Sequence, residues 1–269
     1  MLLLEAINIG EDEREDDGMA WARPEYSRGA VDRAGKIVAG QAFDLYGDTD
    51  AIEIVDNWRA SHSFPLNAFQ IDLRRQAKRV NSDAIVAQRL KRVPSIIHKI
   101  SRYPSMSLSR MQDIGGCRAI LESMREVLTL QSHYADAKFD HDLVTSKNYI
   151  DNPKQSGYRG IHLVYQYRGA QRPEYDGLKI EIQIRSRMQH AWATAVETTS
   201  AMLGQTLKSS EGEQDWLDFF AWTSSAFSLM EETTPLHQGM TWVHIFTMAS
   251  LMAKDLGVVG RLRNMALSA

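Results

Sequence analysis

From residue 178 to 186 the chain reads LKIEIQIRS, its cleanest alternation of apolar and polar positions. Leu178, Ile180, Ile182 and Ile184 fall on one side, and Lys179, Glu181, Gln183 and Arg185 on the other. A period of two is the signature of a strand with one face in a core. DIGGCRAIL (113–121) and GIHLVYQYR (160–168) are shorter apolar runs next to glycines and read as two more strands. Between them MREVLTLQSHYA (124–135) has helical spacing. The central third therefore predicts a mixed sheet with helices packed on one face.

Helical periodicity dominates on both sides of that sheet. Residues 48–60 place Ile52, Val55 and Trp58 on one stripe, with Asp48 or Asp50 as the cap. Residues 65–80 begin at Pro65, send Leu66, Phe69, Ile71 and Leu73 toward a core, and leave Arg74, Arg75, Lys78 and Arg79 outward. A helix over 94–103 starts with Pro94, favoured in a first turn. Residues 187–204 form a strong amphipathic helix, and 216–232 and 240–256 read as helices too. The expected class is α+β, with a loose or partly docked segment over 1–47, a main domain over 48–205 and a helical extension over 206–269.

Composition narrows this only a little. With 269 residues, 43% of them hydrophobic, there is ample material for a core. No apolar run approaches the eighteen or so residues that cross a bilayer, and MLLLEAINIG at the start lacks a basic region and a cleavage site. The single cysteine, Cys117, excludes internal disulfides and multi-cysteine zinc sites, and is expected to be a small core residue. These features predict a cytoplasmic protein with no membrane association. The net charge of −3 gives no global argument for nucleic acid, but its distribution is uneven: EDEREDD at 11–17 is acidic, LRRQAKR at 73–79 and RLKR at 89–92 are basic.

Candidate chemistry gathers in a few places. PKQSGYRGIH (153–162) sets glycines 157 and 160 among Lys154, Tyr158, Arg159 and His162, where a plain turn would need only the glycines. The polar row of the 178–186 strand is either a solvated face or one wall of a site. Asp113 before a glycine pair is either a turn residue or, together with Glu181, one of two carboxylates able to hold magnesium alongside phosphate oxygens. Arg89, Lys91, Arg92 and Lys99 can clamp a polyphosphate. No Walker GxxxxGK[ST] sequence and no kinase glycine-rich loop is present.

Four stretches in order, QRLKRVPSIIHKI, RMQDIGGCRAIL, NPKQSGYRGIHLVY and KIEIQIRSRMQHAWA, resemble the synthetase domain of the RelA/SpoT family over roughly residues 55–205. That resemblance implies a nucleotidyltransferase-like fold and transfer of the β,γ-pyrophosphate of ATP to the 3′-hydroxyl of GDP or GTP, releasing AMP. It implies Arg89, Lys91, Ser95 and Lys99 at ATP, with Arg89 stacking on adenine. Asp113 and Glu181 are implied as magnesium ligands, Glu181 also activating the hydroxyl. Lys154 and His162 would contact the acceptor phosphates, Tyr158 would stack on its base from a mobile loop, and Gln183 and Arg185 complete the strand face.

The chain departs from the family at Asn148, where an aspartate often precedes Tyr-Ile, and His141–Asp142 is expected to be an ordinary strand or loop pair rather than part of a hydrolase centre. His190 and Trp192 are expected to pack at a helix start. Two alternatives remain open. One is a toxin pyrophosphorylating the 3′-CCA end of tRNA, tracked by Arg74, Arg75, Lys78 and Arg79, or making adenosine alarmones; the other is an inactive nucleotide sensor. An antitoxin or regulator bound to the C-terminal helices, and a homo-oligomer, are further expected partners.

Overall fold

The computed structural model describes residues 21–40, 48–136, 139–204, 207, 212–261 and 263. The acidic stretch at 11–17 lies outside them. Five strands form one sheet, β1 (Ile85–Leu90), β2 (Gly115–Leu121), β3 (Asp142–Asn148), β4 (Ile161–Gln166) and β5 (Lys179–Ser186), in the order β1-β2-β5-β4-β3. Only β2 and β5 run parallel; the other pairs are antiparallel. This is the mixed sheet the alternation predicts.

Register sorts the side chains. Cys117 lies opposite Ile182 and Ala119 opposite Ile184, while Leu163 and Tyr165 of β4 face Ile182 and Ile180. These residues are buried in the main core with α3 (Ser63–Val80) and α5 (Met124–Asp136). Cys117 is the expected small core residue: its thiol points at the Leu66 carbonyl, and burial pushes its pKa up to about 12. Leu66, Phe69, Leu73 and Ala77 supply the buried stripe of α3. Ile71 does not join them. It is 58% exposed, because two residues beyond Phe69 turns a side chain through about 200°. Ile52 of α2 (Asp48–Ala60) is likewise exposed, and Ala51 takes its place beside Val55 and Trp58.

Three elements were not foreseen. α1 (Arg28–Val38) is capped by Ser27 and docks on the main core, where Val31 and Ala34 are buried. β1 is an edge strand with little burial, and β3 is another, joined to the end of the sheet by pairing with β4. His141 precedes β3 and stacks on Phe69, and Asp142 pairs with Arg168, an ordinary strand start as expected. α4 (Val93–Arg102), α6 (Arg187–Leu203), α7 (Gln214–Met230) and α8 (Trp242–Asp255) fall where periodicity places them. A second, smaller core joins Tyr158 to Trp192 and Val196 of α6 and to Trp216, Phe219 and Phe220 of α7. Among the described residues no helix is long and apolar enough to cross a membrane.

Candidate active site

Burying Ile180, Ile182 and Ile184 forces Glu181, Gln183 and Arg185 onto the opposite face of β5. Register then adds Gly116 and Arg118 from β2, Arg89 from β1, His162 from β4 and Lys147 from β3 to that face. Together they line a cleft of about 360 Å³. Seven lysine or arginine side chains line it against three carboxylates, so a chain of net negative charge holds a cationic cleft suited to a polyanion.

Two of those carboxylates are fixed in different ways. Asp113, just before β2, receives Lys91 Nζ at 2.9 Å and Lys99 Nζ at 2.8 Å. Burial alone would raise its pKa, but the two ammonium groups outweigh burial and hold it below the usual carboxylate range. Lys91 enters from the end of β1 and Lys99 from the last turn of α4, so two elements converge on one carboxylate.

Glu181 sits in a closed ring of hydrogen bonds. His162 Nδ1 lies 2.7 Å from its Oε1, and Gln183 Nε2 donates to its Oε2 at 2.6 Å. Arg185 Nη2 donates to Gln183 Oε1 and to the Tyr158 hydroxyl, each at 2.6 Å, and that hydroxyl meets His162 Nε2. Because Arg185 can only donate, the Tyr158 oxygen accepts from it. Its own proton can then be given to Nε2, in the arrangement where Nδ1 is the donor to Glu181. Burial would raise the Glu181 pKa, as would the nearby Asp113 charge, but the His162 and Gln183 bonds lower it overall. Both carboxylates are anionic throughout the neutral range.

The pair fits a hard divalent cation. Each oxygen of Asp113 and of Glu181 accepts one bond from the protein and keeps a further lone pair. Among the described residues no cluster of three or more metal-ligating side chains exists. One or two carboxylates completed by phosphate and water is the arrangement magnesium prefers.

Arg118 and Arg185 face the same space, and each has a buried Nε with no partner. Burial lowers the Arg118 pKa, and the Arg185 charge lowers it further. An anion between them would satisfy both, since a buried charge without a counter-charge is costly.

The structure brings together most of the residues singled out from sequence. Arg89, Lys91, Lys99, Asp113, Lys154, His162, Glu181, Gln183 and Arg185 all line the cleft. Ser95 and Arg92 do not; they stand at the start of α4, Arg92 as its N-cap. Tyr158 does not line the cleft: only 8% exposed, it packs in the second core, and its hydroxyl joins the ring around Glu181. Tyr149 lines the cleft instead, with Lys154 Nζ 4.6 Å from its ring centre. The glycines have a geometric reason rather than one of mobility. Gly157 has φ +91°, and a Cβ there would come within 2.8 Å of Ser224 Cβ.

Arg74, Arg75, Lys78 and Arg79 are exposed, but they do not line the cleft. They lie on the outer side of α3, whose inner side covers the apolar face of the sheet, so sheet and helix stand between them and the carboxylates. Arg75 pairs with Asp72 and Arg79 with Gln76, as on a solvated helix face. Asn148 Oδ1 accepts from the amides of Ile150 and Asp151 and shapes the turn carrying Tyr149, while its Nδ2 donates to the Asp151 carboxylate at 2.7 Å, a bond an aspartate could not make. Trp192 packs as expected, while His190 accepts a bond from Arg118 at the cleft wall. Lys147, Tyr149 and Glu197 were missed. The first two belong to a strand and turn with no alternation, and Glu197 comes from a helix far along the chain.

An open mixed sheet, helices on its apolar face and a cationic cleft around two fixed carboxylates on the other, defines an α+β protein whose cleft suits a polyanion. Residues 88–201 match the family described as the region found in RelA/SpoT proteins. GTP pyrophosphokinase YjbM of Bacillus subtilis is 33% identical over 111 residues, covering 40% of this chain and 52% of that protein. The chain thus spans about half the length of that curated relative. Small alarmone synthetase 1 of B. subtilis, solved with its product pppGpp, superposes with a TM-score of 0.55 at 24% identity, covering 64% of this chain and 89% of that one. Small alarmone synthetase 2 of the same organism gives 0.55 at 23%, covering 66% and 94%. These two establish the shared fold.

Proposed function

We propose that the protein is an ATP-dependent pyrophosphokinase that moves the β,γ-pyrophosphate of ATP to the 3′-hydroxyl of GDP or GTP and releases AMP. The observation that carries this reading is the pairing of Asp113 and Glu181 in one cationic cleft. The guanine acceptor is supported by the similarity to YjbM, a GTP pyrophosphokinase.

In this reading Arg89, Lys91 and Lys99 take the ATP side, and Lys154, His162, Gln183 and Arg185 take the acceptor side, with Tyr149 as the aromatic surface for a base. The 3′-oxygen attacks the ATP β-phosphorus. A new O–P bond forms, the bond to the α-phosphate oxygen breaks, and AMP carries away that electron pair. The hydroxyl proton is taken up at Glu181, oriented by His162 and Gln183, and leaves from there to solvent. Asp113 and Glu181 would hold a magnesium ion, whose charge would reduce repulsion between the incoming oxygen and the polyphosphate. Because phosphoryl-type transfer places little demand on a strong base, a carboxylate of low pKa is adequate.

The test uses ATP labelled at the γ-phosphate, with GDP, GTP, ATP or deacylated tRNA supplied separately. Label reaching GDP or GTP, and abolished in Asp113→Ala, is the expected result. Label reaching only tRNA would replace this reading with the toxin, and binding without transfer would replace it with a nucleotide sensor.

A further inference from the structure

Arg159 stands inside the loop sequence that first suggests anion binding, yet it is 3% exposed and does not line the cleft. Its guanidinium is spent on holding three parts of the chain together. Nη1 donates to the Ile150 carbonyl at 2.9 Å, Nε to Ser224 Oγ at 3.2 Å, and Nη2 to the Thr234 carbonyl at 2.6 Å. Ser224, from α7, donates in turn to the Gly157 carbonyl at 2.5 Å. Gly157 leaves no room for a side chain between Ser224 and Trp192.

The turn after α7 is itself fixed. Glu231 accepts from Gln189 Nε2 at 3.0 Å and from Ser186 Oγ, two residues of the α6 N-terminal cap. Glu232 is the only non-glycine residue of positive φ among the described residues, at 55°. A residue stays in that region when its surroundings dictate the conformation. Here the contacts of Glu231 before it and of Thr234 after it do so.

We infer that α7 and the turn at 231–234 are a clamp on the acceptor side of the cleft, with Arg159 and Ser224 as its positioning residues. Arg159 seats the turn at 149–151 through the Ile150 carbonyl, directly after Tyr149, and Ser224 seats the loop after Lys154 through the Gly157 carbonyl. Among the described residues no corresponding bond reaches the other side: Asp113 is held by Lys91, after β1, and by Lys99 of α4. The C-terminal helices therefore act on acceptor binding and leave ATP binding alone. This rests on the pyrophosphokinase reading for which ligand each side takes, but not for the clamp itself.

The experiment compares the full-length protein with Ser224→Ala, Arg159→Lys and Arg159→Met. Initial rates are measured with acceptor varied at saturating ATP, and with ATP varied at saturating acceptor. The expected result is a rise of about tenfold in the acceptor KM for Ser224→Ala and Arg159→Met, a smaller rise for Arg159→Lys, and an ATP KM within about twofold of the unsubstituted protein. Equal rises for both substrates, or none, would overturn the inference. Hydrogen–deuterium exchange needs no turnover and separates the clamp from the assigned activity. Amides 149–160 are expected to exchange faster in Arg159→Lys while those of β2 and β5 do not change. Unchanged exchange at 149–160 would overturn the clamp even in an active protein.

Discussion

The two carboxylates at the centre of the cleft show two ways to keep a buried anion. Asp113 is balanced by charge, from two flexible ammonium side chains on separate elements. Glu181 is balanced by geometry, from a ring of neutral and charged donors rooted in adjacent strands. Lysine is a point charge on a long stem, so Lys91 and Lys99 can turn from Asp113 to an arriving phosphate without leaving the site. The ring has no such freedom, since moving one member unpairs two others. One side of the cleft can thus adapt to its ligand, while the other presents a fixed acceptor.

Replacing each carboxylate by its amide should have the largest effect. Glu181→Gln cannot accept from both His162 and Gln183, and Asp113→Asn leaves two ammonium groups uncompensated. Transfer rates are expected to fall by about 10²–10³ or more in each, as when a preorganised charge is removed. Initial rates at saturating ATP and acceptor check this; a variant retaining more than about a tenth of the rate would remove that carboxylate from the chemistry.

Tyr158→Phe tests the ring more gently. It removes one oxygen and leaves Arg185 Nη2 and His162 Nε2 without that partner. A loss of about 1–3 kcal/mol in stability is expected, the usual cost of stranding buried polar groups. Urea unfolding measures it, and an unchanged midpoint would show that the ring is not a unit.

Salt should separate the two sides by the smallest margin. Raising ionic strength from about 0.1 to about 1 M shortens the screening length from about 10 to about 3 Å. The stability difference made by Asp113→Asn should shrink by a few tenths of a kcal/mol, while that made by Glu181→Gln holds, because partly exposed ion pairs are the ones that salt weakens. Equal shrinkage in urea titrations at both salt levels would dissolve the distinction.

Much of this arrangement was legible in the sequence because burial enforces it. Three isoleucines in β5 fix which side Glu181 faces, and the glycine pair after Asp113 marks the start of the partner strand. Edge strands left no such trace. β1 exposes most of its length and carries Arg89 into the cleft, so IVAQRL shows no alternation. Which of Tyr149 and Tyr158 packs and which lines the cleft depends on Trp192 and α7, more than thirty residues away in sequence. Arg159 looked like an anion ligand for the same reason: its acceptors on Ser224 and Thr234 lie 65 and 75 residues further on, and composition carries no record of them.

The strand order has a consequence for how the protein is made. β5 is the last strand to be synthesised, yet it lies in the middle of the sheet, between β2 and β4. Until residue 186 has left the ribosome, β2 and β4 each present an unpaired edge, and with β5 these are the most buried strands of the sheet. Open, apolar strand edges are templates for pairing with other chains. A nascent chain stalled between residues 166 and 178 is therefore at its most aggregation-prone, and release from that state and assembly of the cleft occur together, when Glu181 arrives on its strand.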